Sequence, residues 1–214
     1  NLPAGKNLAG TFHHPRLVCA DTRLLGTLAD RDELAGLAEV VKSALLSAAF
    51  WRRLPALAGA IERRDEAALG EAVRRSLRVK AEIVAADPDE ALGQRHLLSL
   101  GYTVAHALES ASAYSLRHGE AVAWGLLAAL RLSVSRGLLP EEACGRAEAL
   151  CRSLLAPPRL SARILGRWAG FLPADKKRDR SGLRDVLLAG PGRARLVRVD
   201  AGELVASLSA AAGG

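Results

Sequence analysis

Two histidines and a glutamate are the side chains of this sequence whose chemistry suits a metal ion. His106 and His118 flank a predicted break between two helices, and Glu39 lies on an earlier amphipathic helix. Two imidazoles and one carboxylate form a common zinc-binding set that leaves one coordination position open. The spacing is a weak signal by itself, because a histidine at a helix end or a glutamate on a helix surface more often has only a structural role.

Lysine is the scarce basic residue of this chain. Only five of the thirty lysine and arginine residues are lysines: Lys6, Lys42, Lys80, Lys176 and Lys177. In a chain that otherwise uses arginine, a lysine is a candidate for a place where a compact ammonium is needed and a planar guanidinium does not fit. Lys42 follows Glu39 by one helical turn, where the simpler interpretation is an intrahelical ion pair worth roughly a few tenths of a kcal/mol.

The formal charge of +7 raises the question of a nucleic-acid partner. The basic residues are spread through the chain, without a dense tract and without interleaved aromatic residues. We therefore expect solvated helix faces and no nucleic acid. A small anionic substrate accounts for the positive charge at least as well.

Other features of the sequence bound its class and its location. Cys19, Cys144 and Cys151 are odd in number and form no CxxC pair, which favours a reducing, cytoplasmic compartment over a disulfide framework. No apolar run approaches the roughly 18–20 residues of a membrane-spanning helix, so no membrane partner is expected.

The chain contains no methionine and begins at Asn1, from which we expect it to be the C-terminal part of a larger protein. It has no GxGxxG motif and no P-loop, so any nucleotide should bind upstream of residue 1.

The elements that must position these side chains are predicted to be mostly helical. Leucine and alanine dominate while only 4% of residues are aromatic, which favours a helical core. The patterns predict helices over 30–47, around residue 50, and over 55–64, 65–86, 91–110, 119–136, 141–154 and 161–170, with a last helix capped by Asp200. The helix over 119–136 is apolar almost all round and should be buried. A short strand is expected at 17–20, and a β-hairpin at 185–189 and 194–199.

Five segments of the chain together resemble 3-dehydroquinate synthase. They are GKN at 5–7, AGLAEVVK at 35–42, RHLLSLGYTVAHALE at 95–109, RHGEAVAWG at 117–125 and ADKK at 174–177. They occur in the family's order and at compatible spacings, and the resemblance covers nearly the whole chain. It implies the multi-helical C-terminal domain of the dehydroquinate synthase-like fold. Residues 1–21 would then be the end of a dinucleotide-binding domain and its linker, and 22–214 the helical metal- and substrate-binding domain.

The resemblance also implies an activity. The family converts 3-deoxy-arabino-heptulosonate 7-phosphate to 3-dehydroquinate and phosphate, in the shikimate pathway of aromatic amino acid biosynthesis. It uses NAD, bound mainly by the N-terminal domain, and a divalent metal, zinc or cobalt. The expected substrate is therefore a small anionic sugar phosphate, and the full-length protein is expected to be a homodimer. This chain alone, without the dinucleotide domain, is expected to be inactive.

Site residues follow from the matched motifs. The resemblance makes Glu39 and His118 metal ligands, with Tyr102 at the third ligand position. It makes His106, which would assist proton handling, a catalytic residue together with Lys42 and Lys80. It makes the remaining matched polar residues contacts of the substrate: Lys6, Asn7, Arg95, Lys176 and Lys177.

Three positions depart from the family's pattern. Tyr102 stands where the pattern has a metal-binding histidine, Ser99 where an asparagine is usual, and Leu2 where a histidine is usual. A phenol is a poor ligand at neutral pH because its reference pKa is about 10. Two alternatives therefore stay open: a related cyclase that forms a cyclitol from a sugar phosphate, and a non-catalytic homologue that has lost the metal.

Overall fold

The computed structural model describes residues 9–10, 13, 15–172 and 183–213. Its α-helices and strands, in chain order, are α1 (Asp30–Leu45), α2 (Ala48–Glu62), α3 (Glu66–Ala86), α4 (Tyr102–Ala111), α5 (His118–Ser135), α6 (Glu141–Leu155), α7 (Ala162–Leu165), β1 (Leu183–Leu188), β2 (Ala194–Val199) and α8 (Ala201–Gly213). Short 3-10 helices span Thr22–Thr27, Gln94–Ser99 and Trp168–Phe171. The predicted fold class, mostly α with a small β-hairpin, is confirmed.

Helix α5 lies at the centre of the domain. It packs against α1, α4, α6, α8 and β1, and it is buried along most of its length. A helix that is apolar on every side is stable in water only when other elements surround it. The prediction of a buried helix at this place is therefore confirmed.

Two glycines bring the backbone of α5 against its neighbours. A Cβ on Gly119 would lie 1.9 Å from the carbonyl oxygen of Ala35 in α1, and a Cβ on Gly125 would lie 2.0 Å from that of Gly101, just before α4. No side chain fits at either distance, so glycine is required at both positions. These contacts fix α1 and the start of α4 against α5.

The hairpin packs onto the helices through its main chain. Strands β1 and β2 are antiparallel, with register from Leu183↔Val199 to Leu188↔Ala194. The Leu188 N–H donates to Ser133 Oγ of α5 at 2.9 Å, and the Gly192 N–H donates to the Leu45 carbonyl at 2.8 Å. The hairpin is thus attached to both α5 and the end of α1.

Some local predictions were wrong. Residues 17–20 form no strand, and Leu17 and Val18 are 83% and 67% exposed, so this short apolar run is not buried. The expected pair of helices around residues 50 and 55–64 is the single helix α2, which continues through Pro55. Its buried face, Phe50, Leu54, Leu57 and Ile61 at helical spacing, stabilises it despite the missing proline N–H.

The helix predicted over 91–110 is divided in the structure. Gly101 has a φ of +80°, which cannot continue a right-handed helix, so the 3-10 helix Gln94–Ser99 ends before α4 begins. The predicted helix over 161–170 is likewise two short helices. Asp200 does cap α8, since the Glu203 N–H donates to its Oδ1 at 2.8 Å. Among the described helices, none has the length and apolar content needed to cross a bilayer.

Candidate metal and substrate site

Lys42 is a buried ammonium group at the centre of the candidate site. It lies in the last turn of α1 with 4% of its surface exposed, and its Nζ is 2.7 Å from Glu39 Oε2, one turn earlier on the same helix. Burial lowers the pKa of Lys42, the negative charge of Glu39 opposes this, and the positive charge of Lys80 on α3 adds to it. Lys80 is therefore close enough to Lys42 for its positive charge to lower the pKa of the Lys42 ammonium.

Tyr102 bridges α4 to this pair. Its hydroxyl donates to Glu39 Oε1 at 3.0 Å and accepts from Lys42 Nζ at 2.9 Å. Burial raises the pKa of Tyr102, and the negative charges of Glu39 and Glu109 raise it further. The side chain is therefore a neutral phenol at physiological pH, which makes it a weak metal ligand.

Two imidazoles lie next to the Tyr102 ring. The ring centroids of His106 and His118 lie 5.2 and 5.4 Å from that of Tyr102, and 6.1 Å from each other. His118 Nδ1 is 3.4 Å from Oε1 of Glu109, a carboxylate that is only 3% exposed. One ligand atom from each of His106, Glu109 and His118 lies within 4.8 Å of the others. These three side chains form the histidine-glutamate cluster.

The position of His118 is set by the first turn of α5. The Arg117 N–H donates to Glu120 Oε2 at 2.8 Å, and Arg31 of α1 donates to the same carboxylate, with Nε 2.6 Å from Oε1. Arg117 also lies 3.5 Å from Asp32 of α1. The start of α5 is thus fixed to α1, the helix that carries Glu39 and Lys42.

A cavity of about 430 Å³ adjoins the cluster. Tyr102 and His106 line it from α4, and β1 lines it from the opposite side. Asp185 of β1 is 2% exposed at this wall, where it accepts hydrogen bonds from Thr103 Oγ1 at 3.0 Å and from the Val186 N–H at 2.9 Å. Burial raises the pKa of Asp185 to about 6, against which the hydrogen bonds from Val186 and Thr103 act. The cavity is large enough for a small sugar phosphate.

The structure brings five residues singled out in the sequence into one place: Glu39, Lys42, Tyr102, His106 and His118. Arg95 lies in the 3-10 helix before α4, where its guanidinium donates to the Pro88 carbonyl at 2.9 Å. Its role in the site stays a prediction. Four of the expected substrate contacts lie outside the described residues: Lys6, Asn7, Lys176 and Lys177.

Sequence reasoning missed two carboxylates. Glu109 was part of a matched segment, yet it was given no role, although His106 and Glu109 are spaced i, i+3 and so share a helix face. That spacing could have suggested it as a partner of the histidines. Asp185 carried no such signal, because a single aspartate in a strand does not show which wall it faces.

Comparison with known proteins identifies the family. A family model described as the C-terminal domain of 3-dehydroquinate synthase matches residues 36–178. A 3-dehydroquinate synthase of Halorhodospira halophila is 46% identical over 91% of this chain and 55% of its own length. One from a Ruegeria species is 50% identical over 72% of this chain and 42% of its own length.

Solved structures agree on the fold. A 2-epi-5-epi-valiolone synthase of Streptomyces hygroscopicus subsp. jinggangensis, described with NAD⁺ and Zn²⁺ bound, has a TM-score of 0.83 at 29% identity over 100% of this chain and 60% of its own. A 2-deoxy-scyllo-inosose synthase complexed with carbaglucose-6-phosphate, NAD⁺ and Co²⁺ has a TM-score of 0.77 at 24% identity, over 97% of this chain and 59% of its own, and shows the fold alone. The domain thus has the helical architecture of this class of synthases. Within that class, the chain belongs to the 3-dehydroquinate synthase family, and it spans about half the length of the curated relatives it matches.

Proposed function

We propose that this chain is the C-terminal half of an enzyme that converts 3-deoxy-arabino-heptulosonate 7-phosphate to 3-dehydroquinate and phosphate. The observation that carries the proposal is the position of Lys42, a buried ammonium bonded to Glu39 and Tyr102, in a chain that matches the family over residues 36–178. Burying a charge costs free energy, so a buried lysine usually has a functional reason.

Each side chain of the site has a proposed role toward the substrate. Lys42 and Lys80 supply positive charge for the substrate's carboxylate, hydroxyls or phosphate. His106 holds or moves a proton at its imidazole, beside the cavity. Arg95 and the residues outside the described range complete the anion contacts: Lys6, Asn7, Lys176 and Lys177.

NAD and a divalent metal are part of the proposal. Both are named in the description of the 29% identical valiolone synthase structure, which reports NAD⁺ and Zn²⁺. When bound, the metal polarises a substrate hydroxyl for hydride loss, and the nicotinamide stores the hydride. The dinucleotide would bind mainly to a domain that residues 1–21 adjoin. We further propose a cytoplasmic homodimer.

A second candidate is a cyclase that forms a cyclitol from another sugar phosphate. The solved structure with a TM-score of 0.83 over the whole chain, a 2-epi-5-epi-valiolone synthase, favours it. The identity of 46–50% to 3-dehydroquinate synthases, against 29% to that enzyme, favours the first candidate. A non-catalytic homologue is the third possibility, and Tyr102 is the residue that favours it.

The test is turnover by the complete reading frame that encodes this chain, purified with NAD and Zn²⁺. We expect phosphate release and 3-dehydroquinate formation from 3-deoxy-arabino-heptulosonate 7-phosphate. Lys42→Met should lower kcat/KM at least about 100-fold, while the free energy of unfolding stays within about 1 kcal/mol of the parent, because the Glu39 carboxylate that loses its partner is 43% exposed and can be solvated. Arg146→Met, an exposed change on α6, is the matched control.

Two outcomes would contradict the proposal. Turnover of glucose 6-phosphate, the sugar whose carba analogue is bound in the 2-deoxy-scyllo-inosose synthase structure, would favour the cyclitol-forming candidate. No turnover of either sugar phosphate, under conditions in which the Halorhodospira halophila relative is active, would favour a non-catalytic homologue.

A further inference from the structure

We propose that the divalent metal of this protein binds to the histidine-glutamate cluster, His106, Glu109 and His118. The resemblance placed it instead on Glu39, position 102 and His118, and in this proposal a ligand role replaces the proton-handling role given above to His106. The two ligand sets share His118 and differ in their other two members. The proposal rests on the proposed function for the role of the metal, but binding can be measured without turnover.

The ligand set implied by the resemblance does not fit a metal in this chain. The Tyr102 hydroxyl directs its proton at Glu39 and accepts a hydrogen bond from Lys42. Both carboxylate oxygens of Glu39 are engaged, Oε1 by this hydroxyl and Oε2 by the Lys42 ammonium at 2.7 Å. A cation here would have to displace a buried ammonium and a hydroxyl proton, which leaves His118 as the one ready donor of that set.

The histidine-glutamate cluster has suitable donors at suitable distances. Its three ligand atoms lie within 4.8 Å of one another. Around a tetrahedral zinc with ligand bonds of about 2.0–2.2 Å, neighbouring ligand atoms are about 3.4 Å apart. The largest separation would therefore shorten by up to about 1.4 Å when a metal binds. His106 and Glu109 are spaced i, i+3 on α4, and His118 begins α5.

Burial and charge also favour a cation at this cluster. The Glu109 carboxylate is buried while both histidines are exposed, so the cluster has a charged inner end and an open outer end. Three protein ligands with an open side leave a coordination position for a substrate oxygen, as catalytic zinc sites require. His106 also lines the adjoining cavity, where a substrate would lie.

Glu109 has one competing role that the test must separate. Its contact of 3.4 Å with His118 Nδ1 would also suit a carboxylate that orients a ligating histidine without touching the metal. Loss of Zn²⁺ binding in Glu109→Gln is expected whether Glu109 ligates the metal or only orients His118. His106 and Glu39 separate them, because each belongs to only one of the two ligand sets.

The experiment is Zn²⁺ titration of the metal-free complete protein that contains this chain against a chromophoric chelator, with Co²⁺ absorption as a second readout and circular dichroism to verify folding. We expect His106→Ala to weaken Zn²⁺ binding at least about 100-fold, whereas Glu39→Gln and Tyr102→Phe change it less than about threefold. Loss in Glu39→Gln with retention in His106→Ala would overturn the proposal, as would a parent chain that binds no Zn²⁺. His106 is exposed, so its variant should fold even if Glu109→Gln does not. Zn²⁺ binding as proposed without turnover of the complete protein would refute the proposed function alone.

Discussion

Tyr102 contacts two different pairs of residues, one through its hydroxyl and one through its ring. Its hydroxyl is hydrogen bonded to Glu39 and Lys42, which forms a polar group suited to a substrate's oxygen atoms. Its ring lies next to those of His106 and His118, whose nitrogens suit a metal. A histidine at this position would offer a nitrogen to a metal, whereas the phenol keeps Glu39 in its contact with the lysine.

Asp185 gives the protein a pH-dependent stability. Its pKa is raised by burial from its ordinary value of 3.8 to about 6, so the folded state binds more protons than the unfolded state between these values. This contribution to the free energy of unfolding is present at low pH and is lost as the pH rises through that window, by about 3 kcal/mol in all. We expect Asp185→Asn to raise the free energy of unfolding at pH 8 by about 1–3 kcal/mol, and to change it little at pH 4. Denaturant unfolding at both pH values measures this.

The control for that measurement is Asp89→Asn, which changes an exposed aspartate and should follow the parent at both pH values. An Asp185→Asn variant that is less stable than the parent by the same amount at pH 4 and pH 8 would contradict the expectation. It would mean that the hydrogen bonds from Thr103 and Val186 need the carboxylate and that its charge is tolerated.

At the scale of elements, the site depends on how closely α4 and α5 approach. Gly125→Ala would place a methyl group 2.0 Å from the Gly101 carbonyl oxygen, so the start of α4, which carries Tyr102, must move. We expect a loss of about 3 kcal/mol in the free energy of unfolding, together with weaker Zn²⁺ binding, because His106 moves with α4. Chemical denaturation and the chelator titration measure the two effects.

Gly145→Ala on α6 is the matched control for Gly125→Ala. Nothing lies within 4 Å of its added methyl group, so it should stabilise the helix by up to about 1 kcal/mol and leave Zn²⁺ binding unchanged. If the two variants behave alike, then the contact between Gly101 and Gly125 does not determine the position of α4.

Helices of this protein could be predicted where a single pattern fixes them. The apolar residues of α5 and the Asp65 side chain, which accepts from the Ala68 N–H at the start of α3, are local signals that the sequence shows directly. The break at Gly101 could not be predicted from composition, since a glycine within a helical pattern is often tolerated. The unbroken helix through Pro55 depends on packing of its buried face, which is a tertiary effect.

The site was predictable only in part, because contacts between elements decide it. The motifs brought attention to Glu39, Lys42, His106 and His118, and the structure places them together. No sequence pattern shows that the Tyr102 hydroxyl bonds to both Glu39 and Lys42. Nor does any pattern show which of the side chains around Tyr102 could ligate a metal.

At the scale of the whole molecule, three helices and a hairpin build one site from distant parts of the chain. Helix α1 supplies the glutamate and lysine, α4 and α5 supply the histidine-glutamate cluster, and β1 closes the cavity. The chain covers 55% and 42% of the two curated relatives. Of the three residues of the histidine-glutamate cluster, His106 also lines the cavity.

The most direct test of this account is the location of a bound zinc ion in crystals, by anomalous diffraction at the zinc absorption edge. The account predicts one ion at about 2.0–2.2 Å from a nitrogen of His106, a nitrogen of His118 and an oxygen of Glu109, with the Glu39 carboxylate still bonded to Lys42 and Tyr102. An ion bound by Glu39, the Tyr102 oxygen and His118, with Lys42 displaced, would contradict it.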